Sequence, residues 1–102
     1  MVFMEVNYNI RVKTGFFKTT KYQLVVKKSL LELIPENNDD AKIFLKEDEI
    51  LSISLRKRDE LHLDFNLKED GITGTLLDIK DTQKMFKLLK ENIKKNIIYE
   101  ED

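Results

Sequence analysis

A short segment near the amino terminus holds the residues best suited to bind a ligand. Lys13, Lys18 and Lys21 surround the adjacent aromatic residues Phe16 and Phe17. This arrangement suits a loop that enters a membrane interface, where each lysine attracts anionic head groups by about 1 kcal/mol. Alternatively, the two rings fold back as a lid on the core, and the lysines keep the sheet edge soluble. The residue types allow both interpretations.

No other group of residues predicts catalysis or metal binding. His62 lies between Leu61 and Leu63 in an alternating pattern, which predicts a solvent-exposed position on the polar face of a strand. Asp64 follows on the same face. A general base needs an orienting partner and a pocket, and two side chains do not complete a metal site. The chain has no cysteine, and it contains no phosphate-binding, catalytic-serine or zinc-peptidase motif. We expect no enzymatic activity, no cofactor and no metal.

The composition predicts one folded domain. The chain has 102 residues, of which 41% are hydrophobic and 36% charged, with only three Gly and one Pro. The net charge of -1 argues against a nucleic-acid partner, because such proteins bind phosphates through clustered basic residues. The sequence begins without a leader pattern and has no apolar stretch near the roughly 20 residues of a membrane span. We expect a cytoplasmic protein.

Alternating hydrophobic residues predict a series of strands over about residues 5–79. In the first, Val6, Tyr8, Ile10 and Val12 share one face. The later runs are Tyr22–Lys27, Leu30–Ile34, Ile43–Leu45, Ile50–Lys57, Leu61–Lys68 and Ile72–Ile79. Within the fifth run, Leu51, Ile53 and Leu55 are predicted to share a face. The pair Asp70-Gly71 predicts a two-residue primed turn that joins the last two runs as an antiparallel hairpin.

After these strands the hydrophobic period changes to about 3.6 residues, which predicts one amphipathic helix over about residues 81–97. Its apolar stripe contains Met85, Phe86, Leu89, Ile93 and Ile97. Asp81 is the expected amino-terminal cap. The acidic tail, residues 98–102, is predicted to fray. The fold class is therefore α+β, mainly β: a bent antiparallel sheet or partly open barrel of six to seven strands, capped by one C-terminal α-helix.

This order of elements resembles the pleckstrin-homology-like (PH-like) superfold, especially the small bacterial PH-like and GRAM-like domains. Besides the order, two stretches carry the resemblance: 20–26, similar to a basic-aromatic strand of that family, and 43–53, similar to its strand with an acidic break. The resemblance covers most of residues 5–97 and implies a single PH-like domain over 1–102. Such scaffolds bind peptides along a sheet edge or beside the helix, or head groups at the first loop.

The chain also departs from this family. Many members carry a tryptophan in the terminal helix, where this chain offers Phe86. Phosphoinositide-binding members use a lysine near the end of the first strand and a basic-x-Arg pair on the second. Lys13 and Lys21 match two of these positions, but Gln23 replaces the arginine, so the bidentate phosphate clamp is missing.

The expected function is a binding module, with an unknown protein partner or self-association as the preferred hypothesis. The alternative is weak electrostatic contact with an anionic membrane surface. For a ligand site the candidates are Lys13, Phe16, Phe17, Lys18 and Lys21.

Overall fold

In the computed structural model, the described residues are 6–13, 18–37, 41–77 and 82–101, without the side chain of Val6. They form eight strands, one α-helix and one short 3-10 turn at Glu47–Glu49. The strands are β1 (Val6–Lys13), β2 (Thr19–Lys27), β3 (Leu30–Pro35), β4 (Ile43–Lys46), β5 (Ile50–Lys57), β6 (Leu61–Leu67), β7 (Gly71–Leu76) and β8 (Asn96–Glu101). The helix α1 spans Thr82–Asn92 and separates β7 from β8.

All eight strands belong to one sheet with the order β4-β3-β2-β1-β7-β6-β5-β8. Neighbouring strands are antiparallel except for β8, which runs parallel to β5. The predicted mainly β fold with a helix near its carboxyl end is confirmed. The prediction of six to seven antiparallel strands is wrong, because eight are present and the last is parallel.

One hydrophobic core draws on every strand and on α1. Representative members are Ile10, Tyr22, Leu31, Leu45, Ile53, Leu63, Leu76, Ile97 and, from the helix, Met85. Strands in a sheet lie about 4.8 Å apart, so a flat sheet of this size would hold its edge strands too far apart to share a core. The sheet is therefore strongly curved around its inner face. In β1 the face predicted by alternation is the inner one, since Ile10 and Val12 are buried and Tyr8 is half-buried.

The strand β5 contains an irregularity that alternation does not predict. Its pairing with β6 shifts between Ile50 and Ser52, as at a β-bulge. As a result Ile50 is buried, whereas Leu51 is 55% exposed. The predicted inward position of Leu51 is wrong, while Ile53 and Leu55 face the core as predicted.

The turn between β6 and β7 also differs from the prediction. The Leu67 N–H donates to the Asp70 carbonyl at 3.2 Å, so the loop centres on Lys68 and Glu69. Gly71 is the first residue of β7, and neither it nor the two loop residues has the positive φ of a primed turn. The predicted Asp70-Gly71 turn is wrong, but the antiparallel pairing of β6 with β7 is confirmed. Ile79 lies outside the described residues.

The helix ends at Asn92 and does not continue to Ile97 as predicted. The Asn92 carbonyl accepts a hydrogen bond at 2.8 Å from the N–H of Ser29, in the β2–β3 turn. The Lys94 N–H donates to the carboxylate of Glu47. Because these distant partners use backbone groups that a longer helix would need, the chain leaves the helical path here. The predicted cap Asp81 lies outside the described residues.

The prediction of a frayed tail over residues 98–102 is wrong for 98–101, which belong to β8, while Asp102 lies outside the described residues. Ile97 pairs with Ile53 of β5 and is buried. The ring of Tyr99 meets Phe86 edge-on, with 5.6 Å between ring centroids, and its hydroxyl lies 2.9 Å from the Thr82 hydroxyl. The strand therefore holds α1 against the sheet.

Candidate functional site

The three lysines of the predicted site lie around the β1–β2 connection and are exposed. Lys13 ends β1 opposite Thr19, Lys18 directly precedes β2, and Lys21 lies opposite Arg11. Arg11 therefore joins this basic cluster, although the sequence pattern did not single it out. Phe16 and Phe17 lie outside the described residues, so both interpretations of these rings, as core lid or membrane loop, stay predictions.

A shallow, open depression of about 400 Å³ adjoins two of these lysines. It is lined by Lys18, Thr19, Thr20, Lys21, Glu36 and Asn37. The Glu36 N–H donates to the Lys21 carbonyl at 3.1 Å, which holds this acidic residue beside the lysines. The positive charge at the depression is thus lower than the lysines alone indicate, and this weakens the site for anions.

Strand register assembles a polar row across the outer face of the sheet. From β2 to β8 its members are Lys21, Arg11, Thr75, His62, Arg56 and Glu100. The His62 Nδ1 lies 3.2 Å from the Thr75 hydroxyl, and the Arg56 guanidinium is 2.8 Å from the carboxylate of Asp64. His62 is half-buried and partnered, not fully exposed as predicted.

The outer faces of the two edge strands carry opposite charges: lysines flank the exposed residue of β4, and a glutamate follows the exposed residue of β8. On the outer face of β4, Phe44 is 50% exposed and lies between the exposed residues Lys42 and Lys46. On the outer face of β8, Ile98 is 37% exposed and is followed by the exposed acidic residue Glu100. An edge strand has one row of main-chain groups with no partner in its own sheet, which favours the addition of another strand.

The outer face beside β4 is also partly apolar. Glu32 of β3 pairs in register with Phe44 on one side and with Val25 on the other. Val25 is buried although it points away from the main core, and Ile34 is half-buried. The Glu32 carboxylate forms an ion pair with Lys27, with 3.2 Å between the Oε2 and Nζ atoms. The ion-paired Glu32 thus lies between Val25 and Phe44, and the exposed Phe44 stands at the sheet edge.

Sequence reasoning did not identify either edge strand as a site. The edge position of β4 follows only from the strand order, and β8 was predicted to be a frayed tail. A local signal for β8 exists: Ile97, Ile98 and Tyr99 are consecutive residues of types that favour strands.

Within the described part of the chain, no helix has the length and hydrophobicity needed to cross a bilayer. The same residues contain no group of three acidic or histidine side chains placed to hold a metal ion. Fold and surface together define a class: a β-rich domain with one helix and an open mixed sheet. No protein-family model matches the sequence, and the curated proteins include no significant match.

Proposed function

We propose that this chain is a non-enzymatic PH-like module that binds protein at the free edge of β4. The PH-like part rests on the resemblance and on the order of the first seven strands, β4-β3-β2-β1-β7-β6-β5. This is the order of a meander whose first strand pairs with its last and which opens between the fourth and fifth strands. The additional strand β8 lies on the β5 side of that opening.

The observation that carries the binding proposal is the position of Phe44. Phe44 is 50% exposed to water at a sheet edge, where an added strand would cover part of it. In such strand addition, main-chain hydrogen bonds supply affinity, and contacts with alternate side chains supply specificity. Lys42 and Lys46 on either side of the ring favour a partner strand with acidic residues.

The test compares Phe44→Lys with Leu51→Lys as purified bait proteins. Both positions are large, exposed and apolar, but only Phe44 lies on the edge strand β4. We expect Phe44→Lys to weaken capture of a specific partner by about tenfold or more, because burying such a side chain contributes about 1.5–3 kcal/mol. The Leu51→Lys variant should retain wild-type binding. Circular dichroism checks that both variants are folded, and equal capture by all three proteins would contradict the proposal.

A second function, weak binding to anionic membranes, is favoured by the cluster of Arg11 with Lys13, Lys18 and Lys21. Here we expect co-sedimentation with anionic vesicles at low salt and its loss in Lys18→Glu/Lys21→Glu, since each lysine contributes about 1 kcal/mol. Binding should also disappear near 1 M salt, where the Debye length is about 3 Å.

The matched control for the vesicle experiment is Lys87→Glu/Lys95→Glu, which makes the same change in net charge. Both residues are exposed, one on α1 and one just before β8. If this control variant loses vesicle binding as completely as the β1–β2 variant, the attraction is diffuse and the predicted site is wrong. If the wild type binds no vesicles at any salt concentration, the membrane function itself is wrong.

A further inference from the structure

We infer that the strand added at the edge of β4 is β8 of a second copy of this chain. The inference rests on the proposed function and names its partner. The two edges belong to the same sheet, and each carries the chemistry that the other lacks: an exposed aromatic residue between lysines on β4, and an exposed isoleucine beside a glutamate on β8.

The outer faces match position by position. In a sheet continued with both outer faces on the same side, β8 of one copy runs parallel to β4 of the other, because these two edge strands point the same way within the sheet. When Ile98 is set beside Phe44 in this direction, Glu100 falls opposite Lys46. Lys42, just before β4, then faces Asn96, which carries no charge. Opposite charges and apolar pairs at directly facing positions both stabilise a sheet, so every outer position is compatible.

The inner faces match in the same register. Because side chains alternate along a strand, setting Ile98 beside Phe44 also sets Ile97 and Tyr99 beside Ile43 and Leu45. These residues form the inner faces of the two edge strands and contribute to the hydrophobic core. A continued sheet thus keeps its hydrophobic face on one side over both copies. A shift of one residue would place the apolar positions of one strand beside the charged positions of the other.

Pairing of β4 with β4 of another copy is disfavoured. An antiparallel pair centred on Phe44 would put Lys42 of each copy opposite Lys46 of the other, and like charges at facing positions destabilise a sheet. An antiparallel pair of two β8 strands centred on Ile98 puts Glu100 opposite Asn96 and forms no ion pair. The mixed β4–β8 contact is the arrangement that places opposite charges together.

Such a contact is head-to-tail, because two different surfaces meet. Each copy retains one free β4 edge or one free β8 edge, so the assembly either extends or closes into a ring. A contact of one strand pair buries little surface compared with a stable interface, so association should depend on concentration. Sedimentation velocity on the full chain from about 1 µM to about 1 mM covers the relevant range of affinities.

The decisive experiment is a charge exchange between the edges. We expect Glu100→Lys alone, and Lys42→Glu/Lys46→Glu alone, to weaken self-association by about 3- to 10-fold, because like charges then face each other. A mixture of these two variants should associate as the wild type does, since every β4–β8 contact between unlike variants again joins opposite charges. A thermal melt checks each variant for folding. Glu100→Lys also places a lysine opposite Arg56 within the same copy, and that repulsion could loosen β8 by itself. Ile98→Lys is therefore a second β8 variant, and it should also weaken association.

A wild-type protein that stays monomeric up to the highest concentration would overturn the inference. So would self-association that the charge changes leave intact, or a mixture that fails to recover. The proposed function is tested separately by the bait comparison. If a different protein is captured in a Phe44-dependent manner while the chain stays monomeric, only the identity of the partner is wrong. If both experiments are negative, the proposed function fails as well.

Discussion

Removal of residues 98–102 is expected to lower the free energy of unfolding by about 2–4 kcal/mol, since it deletes the half-buried ring of Tyr99 and most of β8. Tyr99 packs against the hydrophobic core, meets Phe86 edge-on and lies within hydrogen-bond distance of Thr82. The truncation would therefore release α1 from the sheet edge and leave β5 without most of its parallel neighbour. Urea unfolding followed by circular dichroism measures this loss.

Two point variants separate the contribution of Tyr99 from that of the strand as a whole. Tyr99→Ala should account for a large share of the loss, because it removes the contacts with the helix and keeps the backbone. Glu101→Ala, at the exposed end of β8, should change the free energy of unfolding by no more than about 0.5 kcal/mol. A truncated protein with the stability of the wild type would mean that the tail is frayed, as the hydrophobic pattern alone predicts.

Gly74→Ala is expected to destabilise the protein by about 1–3 kcal/mol, because a methyl group at this position overpacks the core. A Cβ atom on Gly74 would come within 2.6 Å of the Ile10 Cδ1 atom and 2.9 Å of its Cγ1 atom. Ile10 is completely buried, which leaves its side chain little room to move away. Thermal or urea unfolding of the variant measures the effect.

The partner substitution Ile10→Val tests this cause directly, since it removes the atom nearest to the new methyl group. Alone it should cost about 0.5–1.5 kcal/mol, but the double variant Ile10→Val/Gly74→Ala should be more stable than the sum of the two changes predicts. The matched control is Gly71→Ala, where the nearest atom to a Cβ would be the Phe65 carbonyl oxygen at 3.6 Å.

Gly71→Ala should leave stability unchanged or raise it by about 0.4–1 kcal/mol, because alanine restricts the unfolded chain. A strong loss of stability in this control would instead indicate that Gly71 needs a positive φ, as in the primed turn that the sequence predicts. Additive effects of Ile10→Val and Gly74→Ala would mean that the close approach to Ile10 is not the cause of the destabilisation.

The inward face of most strands could be predicted from sequence, because alternation is a local property of an extended backbone. Ile10 and Val12, like Ile53 and Leu55, are buried where the pattern places them. The pattern is incorrect at Leu51, where a bulge inserts a residue without a signal in the hydrophobic spacing. For the candidate site, sequence identified the exposed lysines at the first connection. It did not identify Arg11, which joins them only through strand register.

The end of the helix illustrates why the remaining features could not be predicted. Ile93 and Ile97 are four residues apart, a spacing that places them on one face of a helix and also, being even, on one face of a strand. The choice between the two depends on Ser29 and Glu47, which are distant in sequence: Ser29 bonds to the last residue of the helix and Glu47 to Lys94 just after it.

The amino-acid sequence by itself therefore determined the mainly β class, the presence of one helix and most of the core-facing residues, since these depend on local periodicity. The tertiary structure decided the parallel pairing of β8, the position of β4 at the sheet edge and the exposure of Phe44. These features depend on which strands become neighbours, and that choice is made by packing and hydrogen bonds between residues far apart in the chain.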